Sequence, residues 1–353
     1  MAEPVKVLVV GSSQGVHGGI EAFMVAVAED LAQRDGFEVE LCFKIVTGFD
    51  LKQSLKDLVQ HLTIPVVFTR RGRSELMQAM RRADAIHCQN APPDIVFPAK
   101  LFGRPVLATI HNCRYDAKTL NSRIRWFGSR FVAIRTFNSA YVRTFWDNGP
   151  EGDRSLVVPA VSSMPVGEPT SVSSRSGFCF VSRMIPHKGG DLLLEAYLES
   201  GLNSIEHPLV LMGDGPLRES LEKRAAESGL PGIKITGHVT EQEKYDYISQ
   251  SRWLVAPPDM PEDMGLTPIE ARQFGVPSII ANHGGLPEAG GPAAIKVEPG
   301  NRNALAQALR EASQMDNEEY TERANLARNS LADYLRPIGF YGDQLAALVN
   351  QKR

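Results

Sequence analysis

No stretch of eighteen apolar residues occurs in this 353-residue sequence, so no membrane-spanning helix is expected. Cysteine is scarce. Cys42, Cys88, Cys113 and Cys179 stand far apart with no C-x-x-C pair. That spacing argues against a zinc site or a disulfide framework, and for four small buried side chains in a reducing compartment. The first residues, MAEPVK, run directly into an apolar strand. They lack the charged head, long apolar core and small-residue cleavage site of a secretory signal, so a cytoplasmic chain is expected. Neither G-x-G-x-x-G nor a Gly-Lys-Ser/Thr loop is present, which disfavours a dehydrogenase or a P-loop enzyme. A net charge of −3 speaks against a nucleic-acid partner.

What is present is repeated alternation. VKVLVVG (5–11) is a β-branched run ending in glycine, the pattern of a buried parallel strand. A stretch with helical spacing follows, then FEVELCFKIV, and the pattern continues to about residue 160. Strands alternating with helices imply a parallel sheet covered on both faces. At 162–176 the text becomes SSMPVGEPTSVSSRS, a Ser/Pro-rich connection without periodicity. The alternation restarts at GFCFVSRM. The sequence therefore predicts an α/β protein with a domain over 1–163 and a second over 164–337. The first half carries 20 Lys/Arg against 16 Asp/Glu, and the remainder 18 against 25. On doubly wound sheets, ligands bind at the carboxyl ends of strands, so the residues just after each strand are the candidates.

After the first strand, Gly18 and Gly19 precede a helix. They are either a tight turn or a place where backbone N–H groups approach an anion. In FVSRMIPHKGGD, Arg183 follows a strand and Lys188 precedes the glycine pair that opens the next helix. Two cations and a helix N-terminus suit a diphosphate; the alternative is two solvated surface charges. Gly213 in LMGDG and Gly237, His238 and Val239 in TGHV end two further strands. They either expose backbone to a nucleotide base or simply turn the chain.

PEDMGLTPIEARQFGVPSIIA (261–281) places Glu262 and Glu270 with seven residues between them. Thr267, Pro268 and Glu270 fit the N-cap, N1 and N3 positions of a capping box, in which Glu270 would cap its own helix. The alternative is that Glu270 takes a pair of hydroxyls such as a ribose diol, with Gly265, Leu266 and Thr267 offering N–H groups to phosphate. Glu262 stands too far upstream to cap that helix and suits sugar hydroxyls.

Together these stretches resemble the retaining nucleotide-sugar glycosyltransferases of family 4. The matching elements are the E-x7-E pair, VSRMIPHKGGDLLLEAY, LVLMGDGPLRESLE, ITGHV and GGLPE, with GGIE and ATIHN in the first half. The resemblance implies the GT-B fold: two Rossmann-like, doubly wound parallel-sheet domains facing across a cleft. It also implies that the last helix, 338–353, packs back on the first domain. By the same resemblance Arg183 and Lys188 hold the donor diphosphate, Glu270 the ribose and Glu262 the transferred sugar. Gly18 and Gly19 close over the phosphates, and His111, which ends PVLATIH, lies near the donor sugar. The expected activity is hexosyl transfer from a nucleoside-diphosphate sugar to a glycan, lipid-linked or small-molecule acceptor, as in polysaccharide biosynthesis. No D-x-D motif occurs, and no metal or cofactor is expected. The sequence departs from the family at Asp263, where glycine is usual, and at PAVSSMP before the connection. Sugar phosphorylases and nucleotide-sugar epimerases share the architecture and are the alternative, with a non-catalytic sensor as a third reading.

The acceptor has no motif. Arg70, Arg71 and Arg73 cluster, and Arg123, Arg125 and Arg130 interleave with Trp126 and Phe127. A basic–aromatic surface on the first domain suits peripheral contact with the inner face of an anionic membrane. Solvated arginines over core aromatics are the alternative.

Overall fold

The computed structural model describes residues 3–147, 149–163 and 170–351. Of the Ser/Pro-rich connection, residues 164–169 lie outside the described residues. The chain divides into two compact units, Met1–Ser163 with Leu335–Arg353, and Met164–Tyr334.

The first unit is built on β1 (Val5–Ser13), β2 (Phe37–Ile45), β3 (Val66–Arg70), β4 (Ala85–Gln89), β5 (Val106–Ile110), β6 (Ile134–Phe137) and β7 (Ser155–Val157). They form one sheet in the order β3-β2-β1-β4-β5-β6-β7, every pair parallel. The period-2 geometry of a strand divides β1 between two layers. Val7 and Val9 enter one hydrophobic cluster, while Leu8 and Val10 enter another. Both faces are covered, which is why the strand reads as an unbroken apolar run. The helix Phe340–Asn350 belongs to this unit. Its Tyr341, Leu345 and Val349, at helical spacing, pack with Phe23 and Val27 in the first cluster. Arg34 secures its start by donating to Asp343 at 2.7 Å and to the Gly339 carbonyl at 2.8 Å.

The second unit holds β8 (Ser176–Val181), β9 (Leu209–Met212), β10 (Ile233–Gly237), β11 (Ser251–Ala256), β12 (Ser278–Ala281) and β13 (Ile295–Val297). Their order is β10-β9-β8-β11-β12-β13, again wholly parallel. Phe178 and Phe180 face one core layer and Cys179 the other. The end of the connection is not loose. Arg175 is buried, and its guanidinium donates to the Phe274 and Gly275 carbonyls at 2.6 and 2.7 Å. These are the carbonyls left over where the helix Leu266–Gln273 ends, which an arginine satisfies well. In each sheet the strand order reverses direction once, between β1 and β4 and between β8 and β11. Those reversals open crevices at the carboxyl edge.

Candidate functional site

The carboxyl ends of β8 to β12 enclose an open cavity of about 580 Å³ within the second unit. Arg183 and Lys188, from the loop after β8, line it, as does Gly213 after β9. His238 and Val239 come from the end of β10, and Glu262, Leu266 and Thr267 from the segment after β11. Eight of the expected residues thus share one chamber. Arg183 is exposed there and has no ion-pair partner among the described residues. Lys188 is paired: its Nζ donates to Glu262 Oε1 at 2.7 Å. The two loops carry a second link, His187 Nδ1 to Asp259 at 2.9 Å. His187 holds a φ of 69°, a left-handed conformation that a side chain of its size adopts at a cost.

Glycine is required on the β9 side. Gly213 has a φ of 135°, and a Cβ there would run into the Ser182 carbonyl oxygen. Its N–H donates to the Gly237 carbonyl at 2.8 Å, which closes the strand ends against each other. Gly237 supports this edge without lining the cavity.

The capping box is not formed. The helix runs Leu266–Gln273, its N-cap is Gly265, and no side chain caps it. A start two residues earlier than expected puts Glu270 at the fifth helical position, beyond the free N–H groups of the first turn. The local reason is packing: the space a Gly265 Cβ would fill belongs to Leu286 and Ala289. Gly265 is thus explained by that contact and does not line the cavity. Glu270 is instead 3% exposed and accepts from Lys244 Nζ at 2.8 Å. Its Oε2 is buried with no hydrogen-bond partner among the described residues. Burial pushes the Glu270 carboxyl above its ordinary value, with Lys244 opposing. Burial likewise opposes the Lys244 charge, but Glu270 beside it leaves the amine above its ordinary value. Lys244 lines the cavity and Glu270 stands behind it.

Gly18, Gly19 and His111 belong to the first unit. Gly18 is the N-cap of the helix Gly19–Ala32, and a Cβ on Gly19 would meet open space. His111 follows β5 and is buried, with Nε2 2.8 Å from Gln89 Oε1. Since that oxygen accepts, Nε2 carries the proton and Nδ1 the lone pair. Burial lowers the His111 pKa to about 4, so the ring is neutral. Beside it, Asn90 and Ala91 hold φ values of 59° and 43°. The Asn90 side chain accepts the His111 N–H at 2.8 Å, which fixes the loop after β4 to the loop after β5. Strained non-glycine residues collect at functional sites, so this corner joins the candidates. Among the described residues no three His, Cys, Asp or Glu side chains gather into a metal-ligating group.

Comparison with known proteins bears on this chamber directly. Residues 170–330 match the family model Glycosyl transferases group 1. That range contains every residue lining the cavity. The chain is 30% identical over 137 residues to the D-rhamnosyltransferase WbpZ of Pseudomonas aeruginosa, covering 38% of this chain and 35% of that protein. It is 25% identical over 183 residues to the GDP-mannose-dependent alpha-(1-6)-phosphatidylinositol monomannoside mannosyltransferase of Mycolicibacterium smegmatis, covering 49% and 46%. The chain thus spans less than half the length of these curated relatives. Over its whole length it superposes on the structure of Anabaena HepE in complex with UDP, with a TM-score of 0.79, 18% identity, and coverage of 98% and 100%. The fold is GT-B.

Sequence reasoning missed Lys244, Gln89 and Asn90. Lys244 lies in EQEKYDYISQ, where it reads as one surface charge among several. Its burial against Glu270 comes from the meeting of two helices distant in sequence.

Proposed function

We propose that this chain is a retaining glycosyltransferase of family 4. In this reading it moves a hexosyl unit from a nucleoside-diphosphate sugar to a glycan, lipid-linked or small-molecule acceptor in the cytoplasm. The carrying observation is convergence: Arg183, Lys188 and the first turn of the helix Leu266–Gln273 line the same cavity as Glu262. The match of residues 170–330 to glycosyl transferases supports the same reading. The second unit binds the donor, and the first unit, which carries Gly18, Gly19 and His111, binds the acceptor.

The anomeric carbon–oxygen bond to the diphosphate breaks, and an acceptor oxygen bonds to that carbon on the same face. The acceptor proton passes to the departing phosphate oxygen. Arg183, Lys188 and the helix N–H groups meet the charge that develops on the leaving group. No metal or cofactor is needed for this charge balance. When a diphosphate enters, Lys188 exchanges Glu262 for phosphate, and the freed Glu262 carboxylate turns to the sugar hydroxyls. Glu270 takes the ribose once Lys244 yields it. Neutral His111, its Nε2 proton committed to Gln89, offers the Nδ1 lone pair to a sugar hydroxyl. The base is left open, since one relative is named for GDP-mannose and HepE binds UDP.

The test is a thermal-shift panel of UDP-, GDP- and ADP-sugars, followed by product analysis with the stabilising donor. Stabilisation by one donor class and an α- or β-linked product matching the donor anomer is expected. No stabilisation by any of them overturns the reading. Turnover with phosphate alone, or a changed sugar epimer, would favour a phosphorylase or an epimerase.

A further inference from the structure

The helices Pro93–Leu101 and Leu120–Ser129 pack side by side on the first unit. Their outer face is apolar where a folded chain ordinarily turns polar groups to water. Leu120 is 73% exposed, Phe127 53% and Leu101 82%. Phe97, Ile124 and Phe131 join them at the surface. The residues are contiguous: the Phe127 and Phe131 rings lie 5.1 Å apart, and Phe97 and Phe131 6.1 Å. Leu101 is one helical turn beyond Phe97, on the same side. Phe97, Leu120, Ile124 and Phe127 wall a shallow groove whose other lining includes Arg114 and Arg123. Exposed apolar surface of this kind marks an interaction site.

Charge selects the occupant. From Lys118 to Phe131 the chain carries Lys118, Arg123, Arg125 and Arg130 and no carboxylate. Asp116, just upstream, accepts a hydrogen bond from the Thr119 hydroxyl. Three arginines of this region lie over tryptophan rings. Arg114 lies 5.6 Å from the Trp126 ring, Arg130 5.1 Å from the same ring, and Arg125 5.7 Å from Trp146. Trp126 is part-buried at the edge of this groove and donates to the Trp146 carbonyl at 3.0 Å. Arg114 and Arg130 rest on it, and Leu120, Ile124 and Phe127 form the apolar tip. A second copy of the chain on this face would set arginine against arginine. An anionic interface satisfies both features, with apolar side chains at the acyl boundary and arginines among the head groups.

We propose that this face of the first unit docks on an anionic lipid surface. Arg70 and Arg71 differ from these arginines in having carboxylates beside them, Asp50 at 4.0 Å and Asp94 at 3.7 Å. The proposal requires no turnover, so it stands or falls apart from the donor assignment.

The experiment is flotation of the full chain with vesicles of phosphatidylcholine, with and without one-third phosphatidylglycerol. Flotation is expected only with the anionic vesicles and weakens as salt rises. The double variant Leu120→Ser, Phe127→Ser should lose about tenfold or more in partitioning while nearly keeping the wild-type melting temperature, because both side chains are more than half exposed. Arg123→Glu should lose the preference for anionic vesicles. Absence of wild-type flotation, or flotation of the double variant equal to wild type, overturns the proposal. A concentration-dependent dimer that the double variant abolishes would assign the face to a second copy instead.

Discussion

Lys188 Nζ stands 2.7 Å from Glu262 Oε1, joining the loop after β8 to the loop after β11 across the mouth of the cavity. Each side chain is 28% exposed, so the pair is within reach of an incoming ligand. A carboxylate and an ammonium that neutralise each other keep the mouth from repelling an anion. They can also part when a stronger anion arrives. Lys188→Ala should lower transfer by about 10²–10³, the usual cost of losing one preorganised charge donor. The melting temperature should change little, because a partly exposed pair contributes about 1 kcal/mol or less. Steady-state turnover beside a melting curve checks this; unchanged turnover would remove Lys188 from the diphosphate.

The Lys244–Glu270 pair behaves differently because its carboxylate is buried. Glu270→Gln removes the charge facing the part-buried Lys244 ammonium, which keeps Glu241 at 3.9 Å, and should cost about 1–3 kcal/mol of stability. Replacing both, Lys244→Met with Glu270→Leu, should return much of that loss, since an apolar pair needs no hydration. Denaturant titration gives the stabilities. Calorimetry on the refolded double variant then asks whether nucleotide affinity has also fallen. Wild-type affinity would leave Glu270 a structural residue only.

Acid should weaken the first unit. His111 and His87 are buried neutral, with pKa values pushed down by burial to about 4 and about 3. The unfolded chain takes up those protons near pH 6.5 and the folded one does not, so stability falls as pH drops from about 6.5 toward 4. Above pH 6.5 neither state is protonated and the two histidines add no slope. Melting temperature measured between pH 7.5 and 4.5 should show the decline. His87→Gln should make it shallower, and an unchanged slope would count against this origin.

The two glycine sites should answer differently to alanine. Gly213→Ala forces a φ of 135° on a residue with a Cβ and pushes that carbon against the Ser182 carbonyl. A loss of about 1–3 kcal/mol is expected, with weaker donor binding as the cavity edge shifts. Gly19→Ala meets open space and should keep the fold. Any loss in Gly19→Ala should appear in KM for the donor rather than in melting temperature; normal kinetics would exclude Gly19 from phosphate contact.

Activity should survive EDTA, because the proposed charge balance uses Arg183 and Lys188. Loss on chelation, restored by a divalent cation, would require a different account of the leaving group.

The alternation of apolar runs with helical periodicity was sufficient to read two parallel α/β units, since both signals are local and each strand is buried on both faces. The post-strand position of Arg183, Lys188, Gly213 and Glu262 followed from the same reading, because a parallel sheet sends every carboxyl end to one edge. Local chemistry misled at TPIE. A capping box is written there, yet the packing of Gly265 against Leu286 and Ala289 starts the helix earlier and turns Glu270 inward. The pairing of Glu270 with Lys244, of Lys188 with Glu262 and of His111 with Gln89 joins residues 22 to 74 positions apart. Pattern specifies which residues are buried along an element; which buried or half-buried charges meet depends on how the elements cross, and that only the tertiary structure decided.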